Sequence, residues 1–185
     1  MIGEKVLTTR SGRLVPQTLE HVDLLTRWNN DREVLHWLHR SEDPPELLAR
    51  PAMEAMVRRG LADRSEARFM IEAGDGALIG EIRLIGIHPC GRAELAILIG
   101  EKAYWSRGQG GAAITALLGF AFNDLGLRRV TLIADADNAR GIACYERCGF
   151  RHEGVLRAHR LRYGKALDMV AMGVLREEFA DGGRR

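Results

Sequence analysis

The chain has 185 residues, a formal net charge of +2 and a hydrophobic fraction of 46%. This length favours one domain, residues 1–185, whose core needs no metal or disulfide support. The small net charge argues against nucleic acid as a partner, because domains that bind it are usually strongly basic.

The three cysteines, Cys90, Cys144 and Cys148, form no zinc-type spacing with histidines, so we expect no metal. Their odd, low number indicates free thiols in a reducing compartment. The first residues lack the apolar core of a signal peptide. No apolar run has the roughly 20 residues that span a bilayer. We therefore expect a cytoplasmic protein that makes no contact with a membrane.

The N-terminal part of the chain is predicted to be mainly helical. A strand is expected over residues 14–16, followed by helices over residues 19–28 and 31–38. Apolar residues at helical spacing predict a third helix over residues 53–61. The two ends, residues 1–6 and 180–185, are expected to fray.

The pattern changes to period two in the middle of the chain. Short apolar runs cover residues 68–73, 77–87 and Arg92–Ile99, and the Asp75-Gly76 pair between the first two is a hairpin signal. These runs predict an antiparallel meander.

Helices and strands alternate after the meander. The pattern predicts a helix from near Gly111 to residue 125, a strand over residues 130–134, a helix over Ala139–Arg147 and final strands over residues 150–157 and Lys165–Leu175. The element order predicts an α/β protein with a mixed sheet.

A glycine-rich turn, Trp105-Ser-Arg-Gly108-Gln-Gly110-Gly111-Ala112, leads into the longest apolar helix pattern. Residues without Cβ let backbone N–H groups approach a ligand closely. A helix N-terminus adds unpaired donors and partial positive charge. The turn is therefore predicted to hold a phosphate or pyrophosphate.

A dinucleotide-binding domain is one alternative for such a turn. Asp135 and Asp137 follow it at about the distance, ~20 residues, at which that fold places its ribose-binding acid. However, the glycine turn follows an antiparallel meander, and the repeated strand–helix–strand units of that fold are missing. We therefore rank this alternative low.

Two blocks of the sequence resemble the GNAT superfamily of acetyl-CoA-dependent N-acetyltransferases. Trp105-Ser-Arg-Gly108-Gln-Gly110 is similar to its Gln/Arg-x-x-Gly-x-Gly/Ala turn, although Trp105 replaces Gln or Arg. Asn138-Ala-Arg-Gly-Ile-Ala-Cys-Tyr145-Glu-Arg-Cys-Gly149-Phe150 is similar to its Asn-x-x-Ala/Ser-x-x-x-Tyr-x-x-x-Gly-Phe block, with glycine at position 141. The opening, with Trp28-Asn-Asn-Asp31, resembles the RimJ/RimL and spermidine acetyltransferase branch.

The resemblance implies the GNAT fold: a mostly antiparallel central sheet, splayed between its fourth and fifth core strands, with helices on both faces. The pantetheine arm of acetyl-CoA would lie in the gap against Ile97, Leu98 and Ile99. A backbone N–H near Ile97 or Leu98 would polarise the thioester carbonyl.

The resemblance also implies which residues bind the rest of the coenzyme. The backbone N–H groups around the pyrophosphate would belong to Arg107, Gly108, Gln109, Gly110, Gly111 and Ala112. The Arg107 side chain either adds a charge contact or is solvated. Asn138 would cap its helix and bond to the pantetheine arm.

The implied reaction is direct attack of a primary amine on acetyl-CoA in a ternary complex. Tyr145 is the candidate general acid for the leaving thiolate. Glu94 is the first candidate base and Glu81 the second, while an amine with a lowered pKa would need neither. Cys144 and Cys148 lack a suitably spaced histidine or carboxylate, so a covalent intermediate is not expected.

The sequence does not distinguish between four classes of amine acceptor: a protein N-terminus, a polyamine, an aminoglycoside and an amino acid. In this branch the acceptor pocket would be shaped by the region of Asn29, Asn30 and Glu33, with Glu42 and Asp43 adding carboxylates. The alternative function is a non-catalytic acyl-CoA sensor. The final hairpin is also a candidate for pairing across a homodimer.

Overall fold

The computed structural model describes residues 5–37 and 47–182. Its strands are β1 Leu7–Thr9, β2 Gly12–Pro16, β3 Ala67–Ala73, β4 Leu78–His88, β5 Arg92–Ile99, β6 Arg129–Asp135, β7 Arg151–Arg162 and β8 Lys165–Leu175. Its helices are α1 Val22–Trp28, α2 Arg32–Leu35, α3 Arg50–Ala62, α4 Gln109–Gly119, α5 Ala139–Arg147 and α6 Arg176–Gly182.

The strands described form one sheet in the order β1-β2-β3-β4-β5-β6-β8-β7. All neighbouring strands are antiparallel except β5 and β6, which are parallel. A doubly wound parallel sheet is thereby excluded. The predicted α/β class with a mostly antiparallel sheet is confirmed.

The sheet buries a different core on each face because successive side chains of a strand point in opposite directions. In β3, Phe69 and Ile71 belong to the core that includes α4, whereas Met70 belongs to the core formed with α1 and α3. Helices therefore cover both faces, as the resemblance implied.

The sheet divides between β5 and β6. These strands pair only at Arg92↔Arg129, Ala93↔Val130 and Glu94↔Thr131. Beyond that point β5 stays paired with β4 as far as Ile99↔Gly80. In the same way β6 stays paired with β8 as far as Asp135↔Met169. Each strand follows its other neighbour, so a gap opens between the β5 and β6 edges.

The helix that borders this gap begins earlier than predicted, at Gln109 rather than near Gly111. It continues beyond Gly119 as a wider turn over Phe120–Asp124, in which the Leu125 N–H donates to the Phe120 carbonyl at 3.1 Å. Phe120 then packs edge-to-face on Phe69 with ring centroids 5.7 Å apart. This packing fixes the helix on the sheet.

Several other elements differ from the prediction. The short strand β1 and helix α6 were not predicted, and β7 extends to Arg162 rather than to residue 157. α2 is a single turn whose first residues are capped by Asp31, which accepts from the Glu33 and Val34 N–H groups. Residues 1–4, 38–46 and 183–185, with Glu42 and Asp43 among them, lie outside the described residues. No helix in the described ranges is long and apolar enough to cross a bilayer.

Candidate active site

A cavity lies beside the end of β5, where β5 no longer pairs with β6. Its walls are the end of β5, the turn before α4, the first two turns of α4, one face of α5 along its whole length, and the α2 region. The residues that line it are Val34, Trp37, Ile97, Leu98, Ile99, Tyr104, Trp105, Ser106, Gly108, Gln109, Gly110, Gly111, Ile114, Asn138, Arg140, Gly141, Cys144, Tyr145 and Arg147. Most of the predicted coenzyme-binding residues and Tyr145 therefore share one cavity.

The glycine-rich turn presents free N–H groups to this cavity. Ser106 and Gly108 adopt left-handed backbone conformations with φ of 60° and 78°. Gly108 is the N-cap of α4, and the first helical hydrogen bond runs from the Ala112 N–H to the Gly108 carbonyl at 3.0 Å. The N–H groups that precede this bond, from Gly108 to Gly111, are available to a ligand.

Ala112 differs from the other residues of the turn that were predicted to bind the pyrophosphate. Its N–H was expected to contact the pyrophosphate, but the Gly108 carbonyl already accepts it. The side chain of Ala112 does not line the cavity either. The physical reason is the early start of α4, which shifts the set of unbonded N–H groups toward the N-terminus.

Contacts from three directions fix the turn. The Trp105 indole N–H donates to the Ile99 carbonyl at 2.8 Å, and the Ser11 hydroxyl donates to Gln109 Oε1 at 2.8 Å. The Arg140 guanidinium lies 4.8 Å from the centroid of the Trp105 ring. Trp105 therefore joins the turn to β5 and α5, which accounts for an indole where many family members have Gln or Arg.

Asn138 caps α5, as predicted. Its Oδ1 accepts from the Gly141 N–H at 3.0 Å. A Cβ at position 141 would lie only 2.6 Å from Asn138 Nδ2, so a larger residue there would displace the cap. The glycine in place of the usual Ala or Ser is thereby explained. The contact of Asn138 with the pantetheine arm stays a prediction.

Tyr145 is half-buried at the cavity, and its ring packs edge-to-face on Phe150 at a centroid distance of 6.2 Å. Burial, followed by the charges of Cys144 and Cys148, raises the pKa of Tyr145 to about 12. A phenol with this pKa keeps its proton across the physiological range. The side chain is therefore protonated at neutral pH and can act as a proton donor.

The candidate bases do not line the cavity. Glu94 is exposed at the paired start of β5, opposite Ile85 and Thr131. Glu81 is half-buried on β4, where its Oε2 accepts from Gln17 Nε2 at 2.9 Å. The structure does not bring either carboxylate into direct contact with Tyr145, so their roles stay predictions.

Arg107 also lies outside the cavity lining. Its guanidinium is 5.9 Å from the centroid of the Tyr104 ring and its side chain is exposed. Two arginines that were not predicted, Arg140 and Arg147, line the cavity instead. With Cys144 they follow the i, i+4, i+7 spacing of one helix face, which is a signal that the sequence contained.

Trp37 and Val34 bring α2 to the cavity, and no sequence signal indicated this contact. A buried ion cluster holds α2 in place. Asp135 Oδ2 accepts from Arg160 Nη1 at 2.5 Å and from Arg162 Nη1 at 3.2 Å. Arg162 also donates to the His36 carbonyl at 3.4 Å and lies 5.9 Å from the centroid of the Trp37 ring.

This ion cluster also argues against the alternative that the protein is a dinucleotide-binding domain. Asp137, the second candidate ribose ligand, accepts from Arg162 Nη2 at 2.6 Å. Both aspartates are therefore engaged in ion pairs with arginines. Among the residues described, no group of three or more His, Cys, Asp or Glu side chains is arranged to hold a metal ion.

Comparison with known proteins identifies the family. A family profile described as an acetyltransferase (GNAT) domain matches residues 13–151. The chain is 28% identical over 173 residues to the spermidine N(1)-acetyltransferase of Vibrio cholerae serotype O1, covering 91% of this chain and 96% of that relative. It is 32% identical over 157 residues to the Bacillus subtilis protein YdaF, whose name assigns it to the ribosomal N-acetyltransferases, covering 81% and 82%.

A solved structure of the spermidine N-acetyltransferase from Vibrio cholerae, in complex with CoA and spermine, has the same fold. Its TM-score is 0.81 at 26% identity, over 94% of this chain and 98% of that chain. The chain therefore belongs to the GNAT acetyltransferase family. The match confirms the predicted family, the fold class and the activity, an N-acetyltransferase with acetyl-CoA as donor.

We predict that Gly108→Ala weakens coenzyme A binding about tenfold, because a Cβ at a left-handed residue costs roughly 1–2 kcal/mol and the turn must keep this conformation to bind. Isothermal titration calorimetry measures the effect. The matched control is Gly126→Ala, since Gly126 has φ of +67° and, like Gly108, nothing within 4 Å of its added Cβ. Equal coenzyme affinity in the two variants would contradict the role of the turn.

Proposed function

We propose that the protein transfers the acetyl group of acetyl-CoA to a small primary amine by direct attack in a ternary complex. The observation that carries the proposal is the single cavity that joins the free N–H groups of the glycine turn to Tyr145 through the gap beside β5. A diphosphate would bind at the glycine turn and the thioester near Tyr145, so both reactive parts of the coenzyme would lie in one cavity.

The donor half of the site would work through backbone groups and two cations. The N–H groups of Gly108 to Gly111 and the positive end of α4 would bind the pyrophosphate. Arg140 and Arg147 would add positive charge from α5. The edge of β5 at Ile97–Ile99, which has no strand partner on this side, would bind the pantetheine arm as an added strand, and Asn138 would contact that arm from the opposite wall.

Tyr145 would protonate the thiolate that leaves when the amine attacks. A pKa near 12 makes the phenol a weak acid. However, the same burial that raises the pKa of the phenol also raises that of a thiolate formed beside it. The proton therefore passes between two groups in a shared apolar environment, and an N–H of the β5 edge would stabilise the oxyanion that precedes this step.

We predict that Tyr145→Phe lowers kcat by roughly 100-fold or more, the range of a lost general acid. Coenzyme A affinity should change by less than about twofold, since a hydroxyl bound equally in both states contributes little to ground-state binding. Tyr104→Phe is the matched control, because Tyr104 lines the same cavity but its hydroxyl donates to Asp75 Oδ2 at 2.5 Å. Equal kcat in the two variants would remove the general-acid role.

The base is the less defined part of the mechanism. Glu94 remains the first candidate, acting through water from the start of β5, and Glu81 the second. Glu81 lies on the same face of the sheet as Leu98, its cross-strand partner, which lines the cavity. An amine whose pKa is lowered in the apolar site would need neither carboxylate.

The pH profile of kcat/KM separates these candidates, because its acid limb reports the free enzyme's essential base. We predict that Glu94→Gln lowers kcat/KM at least about tenfold and flattens the acid limb, the loss expected for a general base. Glu81→Gln should have the smaller effect. If both variants keep the wild-type profile, the base is solvent or the amine itself.

The names of the relatives suggest where to begin with the acceptor. The Vibrio cholerae and Escherichia coli relatives are spermidine N(1)-acetyltransferases. We therefore place polyamines first, ahead of a peptide N-terminus, an aminoglycoside and an amino acid. Near α2, the carboxylates of Asp31 and Glu33 pair with Lys102 and would have to release it to bind a cationic acceptor.

We predict thiol release from acetyl-CoA on addition of spermidine, above the rate measured without an acceptor. The assay compares spermidine with an N-terminal peptide, an aminoglycoside and an amino acid. Turnover with another amine of the panel, and not with spermidine, would change the proposed acceptor but would still support an enzyme. Tight coenzyme A binding without turnover of any amine in the panel would favour the non-catalytic acyl-CoA sensor over the enzyme.

The proposal includes a homodimer, a cytoplasmic location and no contact with nucleic acid or membrane. The edge strand β7 is exposed along nearly its whole length and carries the apolar residues Val155 and Leu161 on the surface, which supports pairing with a second copy. Three free thiols support a reducing compartment. The single sheet that includes every described strand supports one domain over residues 1–185.

A further inference from the structure

Cys144 and Cys148 form a close pair of thiols that the proposed reaction does not use. They lie one helical turn apart on α5, and both face the first turn of α4. A Cβ added at Gly111 would lie 3.6 Å from Cys144 Sγ and 3.8 Å from Cys148 Sγ. The Cys148 thiol also donates to the Gly111 carbonyl at 3.6 Å. The two sulfurs therefore converge on one residue of the coenzyme-binding turn.

The pair is reactive as well as close. The neighbouring Cys148 side chain, followed by the nearby Arg147, lowers the pKa of Cys144 to about 7, and the same contact between the thiols, followed by burial, raises the pKa of Cys148. The lowered pKa favours the thiolate form of Cys144, which is the nucleophilic form. Cys144 also lines the cavity, so a small reagent can reach it.

The helix geometry decides what this pair can bind. The Cys148 N–H donates to the Cys144 carbonyl at 3.2 Å, so the helical turn between the two residues is intact. Side chains at this spacing have Cβ atoms about 5–6 Å apart, whereas a disulfide needs about 3.5–4.5 Å. An internal disulfide would therefore have to distort α5. An atom that bridges the two sulfurs would not.

The number of protein ligands that each candidate ion or group requires further limits what the two thiols can bind. A zinc ion usually takes four protein ligands in a closed site, and the described residues contain no group of three candidate ligands. A monosubstituted trivalent arsenic centre needs only two sulfurs, because its third bond goes to its own organic group. It also prefers soft thiolate ligands, which Cys144 and Cys148 supply from α5 and its C-terminal end.

We propose that Cys144 and Cys148 form a binding site for a trivalent arsenical, and that its occupation excludes coenzyme A. In the reaction, the bonds from arsenic to its oxo oxygen are replaced by two arsenic–sulfur bonds. The two thiol protons leave with the oxygen as water, and no atom changes oxidation state. The adduct lies at Gly111, whose N–H is one of the groups that binds the pyrophosphate, so the two ligands compete. The exclusion of coenzyme A rests on the proposed function, whereas adduct formation does not.

Intact-protein mass spectrometry with phenylarsine oxide tests the site. We expect one adduct on the wild-type protein and on Cys90→Ala, since Cys90 is an exposed thiol in the turn between β4 and β5 and belongs to neither α4 nor α5. Cys144→Ala and Cys148→Ala should each label at least about tenfold more weakly, because a single sulfur loses the effective concentration that the second one supplies. Circular dichroism of each variant establishes that it is folded.

A second measurement tests the competition. Saturating coenzyme A should slow labelling of the wild-type protein, and the arsenical adduct should lose coenzyme A binding until ethanedithiol removes the arsenic. Wild-type protein that takes up no arsenical, or folded single-cysteine variants that label like wild type, would overturn the site. Labelling of the pair at the same rate with and without bound coenzyme A would overturn the competition. A protein that binds no coenzyme A at all would overturn the proposed function while the cysteine variants still decide the thiol site.

Discussion

The divergence of β5 from β6 is the constraint on which the rest of the site depends. Two parallel strands that stop pairing after three residue pairs leave backbone groups without strand partners along one edge of β5. Buried unpaired backbone groups are costly, so such an edge persists only where water or a ligand satisfies it. The gap is stable because the opposite edges of both strands are firmly paired, β5 with β4 and β6 with β8. The sheet itself thus supplies one wall of the cavity, and the turn before α4 supplies another.

The α5 helix combines several roles on the wall of this groove. Its N-cap, Asn138, faces the gap, and its first turns carry Arg140 and Cys144 toward the same side. Tyr145 comes one residue later and packs on Phe150 at the other end of the helix. A single rigid element therefore sets the relative positions of positive charge, thiols and phenol, and a shift of α5 would move all of them together.

The sequence predicted the parts of this architecture that depend on local pattern. The period-two runs gave β3 to β5 nearly to the residue, and the bounds of β5, α5 and β8 agree with the prediction. The glycine turn and Tyr145, which line the same cavity, could be singled out because their motifs are contiguous in the sequence. The set of N–H groups available to a ligand ends at Gly111, one residue earlier than predicted. The reason is that α4 begins after the left-handed Gly108 and not where the apolar pattern begins. Trp37 was missed because tertiary contacts alone bring α2 to the cavity, and β1 is too short for a periodic signal.

The ion cluster around Asp135 holds the α2 side of the cavity independently of the glycine turn on the other side. A helix of four residues such as α2 has almost no stability of its own. It is held by Arg162, which comes from the end of β7, far along the chain from α2 and outside both motif blocks. The wall that contains Trp37 is thus built from pieces that share no residue with the glycine turn. Substitutions at the α2–Arg162 junction can therefore reshape this end of the cavity while the glycine turn and Tyr145 keep their positions.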